Sequence, residues 1–173
     1  MPVRLSPIFK LLALGAALLL ISSLSVPSLW VIYRAWRLGG EYVGKDSVRL
    51  QTRENNCGPA SLQMIFDHYG IVATIEEIER STGMTEKGVT MYALKETAIL
   101  KGLYADGWRL TMEELLGIRF PALLFVNTDH FVIADSARGE ELFLRDPAIG
   151  RVRISRWRLS QIWKGETLLF YRE

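Results

Sequence analysis

The chain has 173 residues, 49% of them hydrophobic and 23% charged. That length suits one domain, or one domain plus an anchor, and the composition is too apolar for a disordered chain. A single cysteine excludes an internal disulfide framework, and only two histidines leave little basis for a Cys/His zinc site. The net charge of +2 is uneven. Residues 1–40 hold Arg4, Lys10, Arg34 and Arg37 and no acid; of 21 bases, 17 remain beyond them, against 19 acids. A body with that balance lacks the basic footprint of a nucleic-acid binder.

From Leu11 to Tyr33 the chain runs without a charge and is rich in Leu and Ala. As a helix this stretch would reach about 34 Å, enough to cross a hydrocarbon core of roughly 30 Å. Trp30, Tyr33 and Trp36 gather at its far end, where amphipathic rings settle at a membrane interface. A retained anchor is the expectation. A cleaved signal peptide is the alternative, with Arg4 and Lys10 before an apolar core and Ser23–Ser25 as a weak small-residue site. The flanking bases leave the side of the membrane open: Arg34, Arg37, Lys45, Arg49 and Arg53 favour a cytoplasmic body, while the short basic tail favours the reverse. Gly39-Gly40 reads as a linker, dividing an anchor over 1–40 from a folded body over 41–173.

The first half of the body reads as helices. Leu62, Ile65, Phe66 and Tyr69 recur at helical spacing after Pro59, and Gly70 suits the residue after a helix end. Thr74 with Glu77 forms a capping box that opens a short helix to Arg80; Thr90 opens another over Met91–Lys101. Thr111 with Glu114 is a second capping box, opening a turn or two to Gly117. The second half reads as strands over Ala122–Val126, His130–Asp135, Glu141–Asp146, Arg151–Ile154 and Thr167–Tyr171. Arg151 and Arg153 alternate with apolar neighbours, which places them on a solvated face. Helices followed by antiparallel strands imply an α+β domain with the helices packed on one side of the sheet.

Cys57 stands immediately before Gly58-Pro59 at the start of the first body helix. A helix N-terminus favours thiolate there, through unpaired N–H groups and the positive end of the helix dipole. An inert core cysteine fits poorly with the polar run Gln51–Asn56 leading into it. A thiolate nucleophile needs a base, and the base an orienting group. If Asp135 pairs with Glu141 across a loop Ser136–Glu140, His130 lies directly opposite Asp146 on the same face, with Cβ atoms roughly 4.5–5.5 Å apart. His68 is the other histidine, but it sits at the far end of the Cys57 helix. Gln51, six residues before Cys57, supplies a side-chain amide of the kind a developing oxyanion needs.

Gln51-x5-Cys57-Gly58, His130-Phe-Val and Asp146-Pro-Ala-x-Gly150 together resemble the bacteriocin-processing cysteine peptidases, the papain-like domains of peptide-exporting ABC transporters that cleave leaders after a Gly-Gly pair. The likeness spans about residues 46–171 and includes Glu54-Asn-Asn-Cys-Gly-Pro-Ala-Ser-Leu, Tyr69-Gly70 and Trp163-x-Gly165 with Leu168-Leu169. It implies a papain-like fold with Cys57 as nucleophile, His130 as base, Asp146 as orienter and Gln51 in the oxyanion hole. No cofactor or metal is implied. The expected partners are a leader-peptide substrate, the membrane through residues 11–33, and a separately encoded ABC exporter. The expected location is the bacterial cytoplasmic membrane, single-pass. The chain has no G-x-x-x-x-G-K-[ST] sequence, so it carries no nucleotide site of that type. A Cys-His-Asp acyl or amide transferase would use the same residues, and a non-cleaving peptide-binding module is the reading outside enzymes.

Overall fold

The computed structural model describes residues 31–172. Residues 31–38 are helical (α1), followed by β1 (Glu41–Gly44), α2 (Cys57–His68), α3 (Ile75–Ser81), α4 (Met91–Leu100) and β2 (Tyr104–Arg109). Then come α5 (Met112–Gly117), β3 (Ala122–Val126), β4 (His130–Arg138), β5 (Glu141–Asp146), β6 (Gly150–Ser155), α6 (Arg156–Ile162) and β7 (Trp163–Tyr171). The seven strands form one sheet in the order β1-β6-β5-β4-β3-β7-β2, with every pairing antiparallel.

The central strands are apolar on both faces, which is why they read as near-continuous hydrophobic runs. On one face Leu123, Phe131, Ile133 and Leu168 pack with Leu62, Ile65 and Phe66 of α2, Ile78 of α3 and Leu94 of α4. On the other, Leu124, Val132, Leu144 and Val152 pack with Ala35 and Leu38 of α1, Leu115 of α5 and Leu159 of α6. Helices therefore cover both faces, not one as the sequence suggested. The difference comes from α1, which the sequence assigned to the anchor rather than to the body, and from α6, which buries only Leu159 and Ile162. Both capping boxes form as expected, at Thr74/Glu77 and Thr111/Glu114.

Gly39-Gly40 is a packed turn rather than a loose linker. Arg158 Nε donates to the Leu38 carbonyl at 3.0 Å, and its Nη2 to that of Arg37 at 3.2 Å. A Cβ on Gly40 would stand 2.3 Å from Val152 Cγ1. Among the described residues no helix is long and apolar enough to cross a membrane. Most of the expected span, Leu11–Trp30, lies outside the described residues, and residues 31–33 are helical, within α1. The expectation of a spanning helix thus has no structural support.

The β4–β5 hairpin turns over two residues, Gly139 and Glu140, with Arg138 opposite Glu141. The five-residue loop expected from sequence is absent because β4 continues to Arg138. Arg151 and Arg153 are half-buried and ion-paired, to Asp135 at 2.7 Å and to Glu41 and Glu141, rather than simply solvated.

Candidate active site

Cys57 is the first residue of α2 and is buried, 6% exposed. The loop before it is held from three sides. Asn56, fully buried, donates from Nδ2 to Thr52 Oγ1 at 3.0 Å and to Glu79 Oε1 at 2.8 Å, and its Oδ1 accepts from the Arg53 N–H at 3.1 Å. Asn55 donates to the Thr85 and Glu86 carbonyls, and the Gln51 N–H to the Pro147 carbonyl at 2.8 Å. Gly58 lets the helix start approach the β4 face: a Cβ there would lie 2.4 Å from Val89 Cγ2 and 3.2 Å from Phe131 Cδ2. Ser61 Oγ then donates to the Phe131 carbonyl at 3.2 Å, fixing the first turn of α2 beside the start of β4, where His130 sits.

His130 and Asp146 meet, but not through the register the sequence suggested. At the turn Arg138 faces Glu141 and Ser136 faces Phe143; beyond it Ala134 faces Leu144 and Ile133 faces Arg145. The one-residue shift between Ala134 and Ser136 is a β-bulge at Asp135. In the turn register His130 and Asp146 would point to opposite faces of the sheet, because a slip of one residue exchanges the faces. The bulge restores them to one face, diagonal rather than directly opposed, and His130 Nε2 lies 2.9 Å from Asp146 Oδ1. The same Oδ1 accepts from the Ala148 N–H at 2.7 Å, which orients the carboxylate.

With Nε2 engaged by Asp146, Nδ1 is the ring nitrogen left for Cys57, whose charge the imidazole feels. Burial works against the charged ring, but the hydrogen bonds to Asp146 and Cys57 and the charges of both outweigh it. The His130 pKa is raised to about 10. The histidine is therefore an imidazolium across the neutral range, a poised proton donor.

Gln51 lines the same cleft as His130 and Asp146. Its Nε2 donates to the Arg53 carbonyl at 2.9 Å and, weakly, to that of Glu54 at 3.3 Å, while Oε1 is buried without a hydrogen-bond partner. His68, as expected, sits at the opposite end of α2 from Cys57, edge-on to Tyr69. Two clefts flank the Cys57–His130 pair. One, of about 210 Å3, is lined by Cys57, Gly58, Gly88, Val89 and Phe125. The other, of about 480 Å3, is lined by His130, Asp146 and Gln51. Glu54 and Asp129 border both.

The Peptidase C39 family profile matches residues 45–173. The chain belongs to the Peptidase C39 family. An uncharacterized protein of Methanothermobacter thermautotrophicus is 31% identical over 130 residues, 75% of this chain and 92% of that protein. The Lactococcin-G-processing and transport ATP-binding protein LagD of Lactococcus lactis is 29% identical over 126 residues, 69% of this chain but 18% of its own length. The crystal structure of a double glycine motif protease from an AMS/PCAT transporter, in complex with the leader peptide, is 28% identical. It aligns with a TM-score of 0.70 over 73% of this chain and 91% of that one. The α+β architecture with its antiparallel sheet is thus the C39 fold.

Several residues of this C39 domain that build the site gave no sequence signal. Glu79 reaches the Cys57 loop from α3, pairing with both Arg53 and Asn56, yet reads in sequence as one more acid on an exposed helix. Asp135 is the bulged residue, bonded to Arg145 at 2.9 Å and Arg151 at 2.7 Å. An acid within an otherwise apolar strand was the one hint available.

Proposed function

We propose that the protein is a cysteine endopeptidase that cleaves a leader peptide after a Gly-Gly pair. The observation that carries this reading is His130, held by Asp146 at 2.9 Å and set beside Cys57 at the start of α2, in a domain of the C39 family. Cys57 Sγ, as thiolate, attacks the scissile carbonyl carbon and the carbonyl oxygen becomes an oxyanion. Backbone N–H groups at the α2 start, unpaired by the helix itself, are available to it. Gln51 joins them by exchanging its long hydrogen bond to the Glu54 carbonyl for one to the oxyanion. The His130 imidazolium gives its proton to the leaving amine as the C–N bond breaks, leaving a thioester. Neutral His130 then takes a proton from water, whose hydroxide hydrolyses the thioester and regenerates the thiol.

A Gly-Gly pair suits the smaller cleft. Gly58 and Gly88 line it beside Val89 and Phe125, and residues without Cβ could bring their carbonyl to Cys57 along so narrow a path. The apolar run Leu11–Tyr33 supports attachment to a membrane, and the transporter relatives support work beside a separately encoded exporter. The test is to mix the full chain with a leader peptide spanning its Gly-Gly junction and weigh the products. Two fragments parted after the second glycine are expected, and none with Cys57→Ala. A peptide retained intact by the unaltered protein would replace this reading with that of a non-cleaving recruiter.

A further inference from the structure

The two clefts are chemically inequivalent. During amide cleavage the acyl half of the substrate stays on Cys57 Sγ, while the leaving amine takes its proton from His130. The residues after the scissile bond therefore lie on the His130 side, in the larger cleft of about 480 Å3. That cleft has a wall the smaller one lacks: α1 contributes Arg34, Arg37 and Leu38 to it. The wall is fixed in place. Leu38 is buried in the core, and Arg158 caps the helix through the Leu38 and Arg37 carbonyls at 3.0 and 3.2 Å. It also stands ahead of the part of the chain that the C39 family matches, which begins at residue 45.

The charges along the cleft are ordered. Glu54 and Asp129 lie where the two clefts meet, beside the scissile position, and Arg34 and Arg37 lie on the α1 wall beyond. Among the described residues the Arg37 guanidinium has no ion-pair partner. Arg37 is exposed on the open side of the cleft, where its guanidinium fork can donate twice to a carboxylate. We propose that α1 is a specificity element, which selects substrates whose first few residues after the cleavage point carry acidic side chains. This rests on the peptidase reading and names the chemistry of the released half.

The experiment uses the full chain and three peptides with one common leader ending in Gly-Gly. They differ only in the next three residues, which are acidic, amide or lysine. The expected acidic-to-lysine ratio of kcat/KM is about fivefold, carried mainly by KM, because an exposed guanidinium–carboxylate pair is worth up to about that factor. The double variant Arg34→Glu/Arg37→Glu should invert the ratio, and Arg37→Lys should keep its direction. Each ratio is taken within one variant, so loss of folded enzyme cancels. Equal cleavage of all three peptides by the unaltered protein overturns the inference and leaves the peptidase reading intact. No cleavage of any peptide removes both. A ratio unchanged in the double variant, with weakened binding to phosphatidylglycerol vesicles, overturns it as well and gives the basic face to a lipid surface.

Discussion

Asp146→Asn separates the charge of the orienting group from its geometry. Asp146 Oδ1 accepts from both His130 Nε2 and the Ala148 N–H, at 2.9 and 2.7 Å, and asparagine keeps that oxygen. What it loses is the negative charge, which helps raise the His130 pKa to about 10. A hydrogen bond to a charged group contributes about 1.5–3 kcal/mol, and a neutral one about 0.5–1.5. The difference, about 1–1.5 kcal/mol, corresponds to roughly one pKa unit. The alkaline limb of the kcat/KM profile, which belongs to the Cys57–His130 pair, should therefore move down by about one unit. Cleavage near neutrality should fall about tenfold at most. Asp146→Ala goes further, leaving the imidazole N–H buried and unpaired and the ring free to turn. Its loss should reach about a hundredfold, since an unsatisfied buried donor costs about 1–3 kcal/mol on top of the lost bond. The assay is a pH–rate series on one leader peptide for all three proteins, with thermal melting to confirm folding. An alkaline limb that stays in place in Asp146→Asn, together with full activity in Asp146→Ala, would refute the assignment of Asp146 as orienter.

Iodoacetamide should label Cys57 quickly in the parent protein, slowly in His130→Ala and at the parental rate in His68→Ala; equal rates in all three would leave Cys57 without a base. His130 is held charged to about pH 10 in the fold, against about 6.5 in the unfolded chain. Its contribution to stability is thus complete below about pH 6.5 and lost as pH rises towards 10, so melting temperature should decline across that window and decline less in His130→Gln. Gly58→Ala places a methyl 2.4 Å from Val89 Cγ2, an overpacking cost of about 1–3 kcal/mol that a second change, Val89→Ala, should largely relieve in a melting experiment. A fragment starting at residue 45 loses α1 and β1; it should melt below one starting at residue 31, since burial of Leu38 alone contributes about 1.5–3 kcal/mol. Equal melting would mean that the α1 packing adds nothing.

Where a signal was local, it was legible in the chain. The capping boxes at Thr74 and Thr111 depend on residues three apart, and both form. The strand β3 is an apolar run bounded by turn residues, β5 has an apolar centre at Leu142, Phe143 and Leu144, and both keep the bounds expected. By contrast β2 is an edge strand exposed at most of its positions, so Tyr104–Arg109 offers no alternation to read. The α6 helix buries only Leu159 and Ile162, and β1 is four residues long. These elements exist because the sheet gives them a partner, and that information lies far away in sequence.

The site shows the same division more sharply. Cysteine before a helix, histidine opening a strand and aspartate closing the next are chemical types a sequence displays. Their meeting depends on register, which changes by whole residues with turn length and with every bulge. The hairpin turn here is three residues shorter than composition suggested, an odd change that by itself would carry His130 and Asp146 to opposite faces. The bulge at Asp135 contributes the further residue that brings them back. An acid can occupy that point because two neighbouring strands supply Arg145 and Arg151 to hold its carboxylate. The expected pairing of His130 with Asp146 was therefore reached through two register errors of odd length that cancelled in parity. Parity is what decides the chemistry: a diagonal pair on one face can share a 2.9 Å hydrogen bond, and a pair on opposite faces cannot.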